Sequence, residues 1–428
     1  MRPIVFSRWG ALQDTSVNRH KASAAQGRGR QQAPALMRSL LLVRALVSVA
    51  AAAAAAAPDP TQCEGGPCGP GNERCAGVKV QTFVFHLFDT SCHTNDPNAP
   101  MFDPVHGLYH TLYQRYQGEP QHGTQRPLRA DWPSWSHTMG HWVSRDFTHW
   151  AQLPVALWND QWFDAGATFT GSATIVDGGP VILYPGLCRI DSASCPTGDN
   201  YAVAVPANAS DPLLVQWTKQ GSIGGRSVTN PVLNATGDDP SSAWRTVHGE
   251  WRLIGNQGGC GDGGANSSST TGTPIFGSMN FREWYRIGCT TLSLGDCPTL
   301  FPLPPLVPGS ADGISKDGLP THVHKAGTLG FSPDCVQIGD WHDGLPGPAA
   351  QGGTPGSWEP LTGQIPLDAG RVHAAKDFWD PVKQRRIMWL WATLGTGLQT
   401  VPRELRYDPR LQRIVSNPVD EIKRLRTT

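Results

Sequence analysis

His93-Thr94-Asn95-Asp96-Pro97-Asn98-Ala99-Pro100, followed by Asp103-Pro104 and then by Gly107-Leu108-Tyr109-His110-Thr111-Leu112-Tyr113-Gln114, sets the pattern of the whole chain. Asp-Pro is turn chemistry, because the Asp side chain caps nearby backbone and Pro fixes φ. The run after Gly107 is rich in aromatic and β-branched residues, as a strand is. The same alternation continues through Val80–His86, Leu108–Gln114, Phe169–Val176, Val181–Tyr184, Tyr201–Val205, Trp251–Ile254 and Ile387–Ala392. Few windows between residues 80 and 410 hold a helical period, so the body reads as all-β. An all-β body of about 330 residues is long for one sandwich and suits a β-propeller.

Composition narrows the function classes. The chain has 428 residues, 39% of them hydrophobic, as in an ordinary globular protein. Its 35 basic and 35 acidic residues cancel, which gives no electrostatic reason to expect nucleic acid as a partner. The histidines lack metal-ligand spacing, so neither a metal nor a cofactor is expected. Most of the 16 Trp are expected in the core, packed between blades.

Residues 1–57 read as a signal or targeting region, with Met37 a candidate true start. Leu40–Ala57 is an apolar run broken once by Arg44, preceded by Arg38 and closed by an alanine tract before Pro58. The competing reading is an uncleaved anchor across residues 39–57, the one way in which a membrane would enter. Residues 58–79 form a Cys/Gly/Pro-rich linker, and residues 80–428 the propeller. Ten cysteines and the sequons at Asn208, Asn234 and Asn266 fit an oxidising, secretory compartment. Cys63, Cys68 and Cys75 match no common zinc spacing and read as disulfide or linker cysteines; the sequence leaves the pairings open.

Seven Asp-Pro dipeptides occur, at Asp59, Asp96, Asp103, Asp211, Asp239, Asp380 and Asp408, and any one taken alone is a turn. Their surroundings separate two of them, together with Asp296-Cys297-Pro298. From Val80 onward the chain resembles glycoside hydrolase family 32, the invertases and fructanases. Asn95-Asp96-Pro97-Asn98-Ala99-Pro100 resembles the family's Trp-Met-Asn-Asp-Pro-Asn-Gly block, and Tyr109-His110 with Tyr113-Gln114 its next strand. Gly140-His141 through Trp150, and Phe169-Thr170-Gly171-Ser172, resemble the segments that follow. Asp239-Pro240 resembles the Arg-Asp-Pro block and Asp296-Cys297-Pro298 the Glu-Cys-Pro block. Leu367–Arg371, Lys376-Asp377-Phe378, Arg385–Trp391 and Gly397–Arg403 are similar to late family segments, and all fall in the family's order.

The resemblance implies a five-bladed β-propeller with a site at one end of its axis. Members usually add a C-terminal β-sandwich; this chain stops too soon after the propeller to hold one, so a propeller without it is expected. The resemblance also implies Asp96 as nucleophile, Asp296 as acid/base and Asp239 as transition-state stabiliser. Two carboxyl groups are what retaining hydrolysis of a glycoside needs, one to attack the sugar and one to protonate the leaving oxygen. Asn95, Gln114, Phe169, Ser172 and Asp238 match positions that line the sugar. His110 and His141 are expected to be structural, hydrogen-bonded histidines. The implied substrates are β-fructofuranosides, either sucrose or fructans.

Three departures bear on activity. Asp296 stands where the family has Glu, one methylene shorter, and a misplacement on the order of 1 Å at a reacting proton costs about a hundredfold in rate. Asp238 stands where the family has Arg, replacing a cation by an anion beside Asp239. Met139 and His93 stand where the family has Trp, which bears on specificity. The first two sustain a second reading, a carbohydrate-binding propeller that has lost catalysis. A fructosyltransferase, or an arabinoside-cleaving propeller of a related type, are further alternatives.

Overall fold

The computed structural model describes residues 86–89, 93–116, 137–188, 199–234, 239–255, 272–292, 295–303, 320–328, 332–368, 370, 372–392 and 397–426. The presumed targeting region, the linker, Asp238 and Asn266 lie outside the described residues. Within them the chain is strands and turns, with two short 3-10 segments at Ala349–Gln351 and Asp420–Leu425.

Among the described residues the strands form five larger antiparallel sheets in chain order, each a blade, and one two-stranded ribbon, Ser222–Ile223 with Arg226–Ser227. Blade 1 runs His93–Asp103, Leu108–Tyr116, His137–Ser144, Trp150–Leu157. Blade 2 is built on Ser172–Val176, Gly179–Leu187 and Asp199–Pro206, with short edge strands. Blade 3 spans Trp244 to Thr290, blade 4 Asp296 to Pro366 and blade 5 Val372 to Pro418. Asp103-Pro104 forms the turn its sequence predicts: the Val105 N–H donates to Asp103 Oδ1 at 2.9 Å, and Gly107 closes it at φ 68°.

Five apolar clusters close the ring, one at each junction between blades. Met101 and Leu112 of blade 1 pack with Ile182 and Tyr184 of blade 2. Leu183 and Tyr201 meet Leu253 and Phe276 across the next seam. Ile275 and Ile287 meet Trp341 and Trp358, and Val323 and Ile338 meet Met388 and Leu390. The last seam joins Tyr109, Trp142 and Phe147 to Phe378 and Trp389, so blade 5 returns to blade 1. Each such side chain contributes roughly 1.5–3 kcal/mol by leaving water, so the seams rather than surface charges hold the ring. Leu87 pairs with Gln399 of blade 5 just before the chain enters blade 1, and Gln399 donates to the Asn95 carbonyl.

Trp142, Trp150, Trp217, Trp284, Trp341, Trp358 and Trp389 are buried, as expected of Trp between blades, whereas Trp162 is 50% exposed. His110 and His141 are fully buried, with His110 Nδ1 2.9 Å from His141 Nε2, which makes them a structural pair.

Candidate active site

The segments that enter the blades share an irregularity that aims side chains at the axis. In blade 1 the register shifts between Asn98 and Met101 around Ala99, which sits at φ 43°. In blade 4 it shifts between Asp296 and Thr299 around Cys297, at φ 46°. In blade 5 it shifts between His373 and Lys376 around Ala374, at φ 57°. Asp239, on the approach to blade 3, has φ 52°. A bulge with one residue in the left-handed region turns its neighbours out of the ladder, at about 1–2 kcal/mol for each non-glycine residue so placed.

These kinks gather Asp96, Asp239 and Asp296 within electrostatic reach of one another. All three act on the Cys297 thiol, and Asp296 acts on Asp96. Asp96 keeps a solvent-accessible face, yet burial on its other sides raises its pKa to about 6. The Thr170 hydroxyl, donating to Asp96 Oδ2 at 2.6 Å, opposes that rise, as do the cations His373 and Lys376. Gln114 Nε2 donates to Thr170 Oγ1 at 2.6 Å and leaves the Thr170 proton for Asp96.

Asp239 is 8% exposed and accepts from the Cys297 thiol at 3.4 Å. Burial, then the three carboxylates, push that thiol well above its ordinary range, so it stays a donor. Ser172 donates to the Pro240 carbonyl at 2.6 Å, and Lys376 Nζ to the same oxygen at 2.8 Å, which pins the loop carrying Asp239. Burial lowers the pKa of Lys376, against the pull of Cys297 and Asp239. Asp296 accepts from the Cys297 N–H at 3.1 Å on Oδ1 and lies 2.9 Å from His373 Nε2 on Oδ2.

Of the residues singled out in the sequence, Asp96, Asp239 and Asp296 therefore come together with Gln114 and Ser172. Asn95 borders them, its carbonyl held by Gln399. Phe169, half-buried, lies on the segment that carries Thr170, its ring 5.4 Å from that of His137. Asp238 is outside the described residues. Sequence reasoning missed Thr170 and His373 as members of the site. Thr170 lies between Phe169 and Ser172 in a segment that resembles the family, but no motif marks it; His373 lies between two such segments and belongs to neither.

Ligand atoms of Asp239, Asp296 and Cys297 lie within 4.8 Å of one another, a spacing that a cation can use. Protein donors already engage them: the thiol serves Asp239, and His373 serves Asp296.

Five blades around an axis, each bringing polar side chains to one cluster of carboxylates, define a five-bladed β-propeller with an acidic centre. Residues 86–418 match the model of the glycosyl hydrolases family 32 N-terminal domain, and the chain belongs to that family. It is 31% identical over 381 residues to a fructan 6-exohydrolase of Triticum aestivum, across 82% of this chain and 58% of the relative. It is 30% identical to the insoluble isoenzyme 2 of beta-fructofuranosidase of Oryza sativa subsp. indica, across 80% of this chain and 56% of that one. The crystal structure of fructan 1-exohydrolase IIa from Cichorium intybus superposes with a TM-score of 0.58 at 27% identity, over 80% of this chain and 61% of the other. The chain thus spans less than two thirds of the length of these relatives.

Proposed function

We propose that the protein is a retaining β-fructofuranosidase that releases fructose from sucrose or fructans. Asp96 attacks the anomeric carbon of the fructosyl unit and forms a fructosyl-enzyme; Asp296 protonates the departing oxygen and then takes a proton from the attacking water. Asp239 accepts hydrogen bonds from fructosyl hydroxyls and favours the positive charge that develops on the ring. The observation that carries this reading is the hydrogen-bond chain from Gln114 through Thr170 to Asp96. It holds one carboxylate oriented in the acid cluster with a face open to substrate.

We place its action in a secretory or vacuolar lumen. Cys188 and Cys289 are disulfide-bonded, and the sequon residues Asn208 and Asn234 are exposed, both of which support that reading.

One observation favours a second reading, a propeller that binds sugar without cutting it: Asp296 is ion-paired to His373, and a cation there favours the ionised carboxylate, which has no proton to give the leaving group. Incubating the protein with sucrose, inulin and levan separates the two. Free fructose, lost in Asp96→Asn, supports the hydrolase. Sugar binding without turnover at high enzyme concentration overturns it, and longer products reassign it as a transferase.

A further inference from the structure

His373 enters the centre from blade 5, and its side chain is only 4% exposed. Nε2 is 2.9 Å from Asp296 Oδ2, and Nδ1 is 3.4 Å from Asp334 Oδ1 in blade 4. Asp334 is itself fixed: Lys325 Nζ donates to its Oδ2 at 3.1 Å and the Ala375 N–H at 2.7 Å. Burial would raise the Asp334 pKa, but Lys325 and His373 outweigh it and hold the carboxylate below its usual range. The imidazole is thus lined up between two carboxylates, one buried and one at the site.

Backbone packing is shaped to admit the ring. A Cβ on Gly327 would lie 2.7 Å from His373 Cε1 and 2.9 Å from Asp334 Oδ1, so any side chain there would push the pair apart. A Cβ on Gly295, next to Asp296, would lie 2.6 Å from the Gly327 carbonyl, so the two segments meet closely where the His373 contact is made. Asp296 is held at both oxygens, by its neighbour's N–H and by His373.

We propose that His373, oriented by Asp334, is a positioning residue that holds the short side chain of Asp296 toward the leaving group and supplies the cation that sets its working pH. The inference rests on the glycosidase reading for the role of Asp296, but the ion pair is a property of the folded chain with or without turnover. The titratable groups that act on His373 are Asp296 and Asp334 of blade 4 and Asp96 of blade 1; Lys325 is bound to Asp334, Lys376 acts on Asp96, and Asp239 and Cys297 complete the cluster. Burial alone would lower the His373 pKa, yet the hydrogen bond to Asp296 and the nearby Asp334 carboxylate raise it to about 10, in keeping with an imidazolium.

Two measurements on the full chain test this. The first follows the His373 ring nitrogens by NMR from pH 6 to 9, assigned by their loss in His373→Gln. An imidazolium at pH 8 that gives way to neutral imidazole in Asp296→Asn supports the pair; a neutral ring at pH 8 in the unmodified protein overturns it. This arm needs no turnover, so it stands even where sucrose, inulin and levan are not cut.

The second compares pH profiles of kcat/KM. His373→Gln keeps a donor but removes the charge, so the alkaline limb is expected to move up by about one pH unit. Asp334→Asn is expected to move it the same way by less, and His373→Ala to lower kcat about tenfold with little change in KM. Profiles that superpose on that of the unmodified enzyme, after folding is verified by thermal melts, overturn the positioning role.

Discussion

Thr170 donates its hydroxyl to Asp96 at 2.6 Å, and Gln114 donates to that same hydroxyl at 2.6 Å. The chain of donors orients Asp96, the proposed nucleophile, and favours its charged form. Hydrogen bonds to charged groups contribute about 1.5–3 kcal/mol. Thr170→Val, which keeps the shape, is therefore expected to lower kcat/KM by about 10- to 150-fold and to move the acid limb of its pH profile upward. An unchanged acid limb would remove Thr170 from the site.

The pH dependence follows from Asp96 itself. A nucleophile must be ionised, and Asp96 has its pKa raised to about 6, first by burial. kcat/KM is accordingly expected to fall about tenfold for each pH unit below that value, with the proton bound at Asp96. A rate that stays flat down to pH 4 would show that the limiting ionisation lies elsewhere.

Asp239 and Cys297 should separate in their effects. Asp239→Asn removes a charge from the cluster and is expected to reduce kcat by about 10²- to 10³-fold. Cys297→Ser keeps a donor to Asp239 and is expected to stay within about tenfold of the original enzyme. Steady-state kinetics on both variants make the check, and the opposite ranking would assign the sensitive function to the thiol.

Ala99 sits at φ 43° where the resembling block has Gly. Glycine adopts that conformation freely, while alanine pays about 1–2 kcal/mol, partly offset by the extra flexibility that glycine gives the unfolded chain. Ala99→Gly is expected to leave stability unchanged or raise it by up to about 1 kcal/mol, and Ala99→Val to lower it. Chemical denaturation measures both; a clear loss in Ala99→Gly would show that the Ala99 methyl carries packing that outweighs its strain.

Strand alternation and turn dipeptides made the all-β body legible, because both signals are local: Trp251–Ile254 is a strand with the bounds its sequence suggests. Phe169–Val176 was less exact, since regular pairing begins at Ser172 and residues 169–171 turn toward the site. The three acids were legible because each sits in a distinctive short block. His373 was not: it lies 77 residues from Asp296, and only the pairing of blade against blade brings them together. Likewise, nothing local in Asp334 shows that it faces an imidazole beside Gly327.

In the proposed reaction Asp96 carries the fructosyl unit. Its most direct test is rapid acid quenching of the enzyme during turnover of sucrose or a fructan, followed by peptide mass spectrometry. The peptide containing Asn95-Asp96-Pro97 is expected to gain one fructosyl residue, and the gain to vanish in Asp96→Asn. A fructosyl adduct on Asp239 or Asp296 instead, or turnover that persists in Asp96→Asn, would contradict the account.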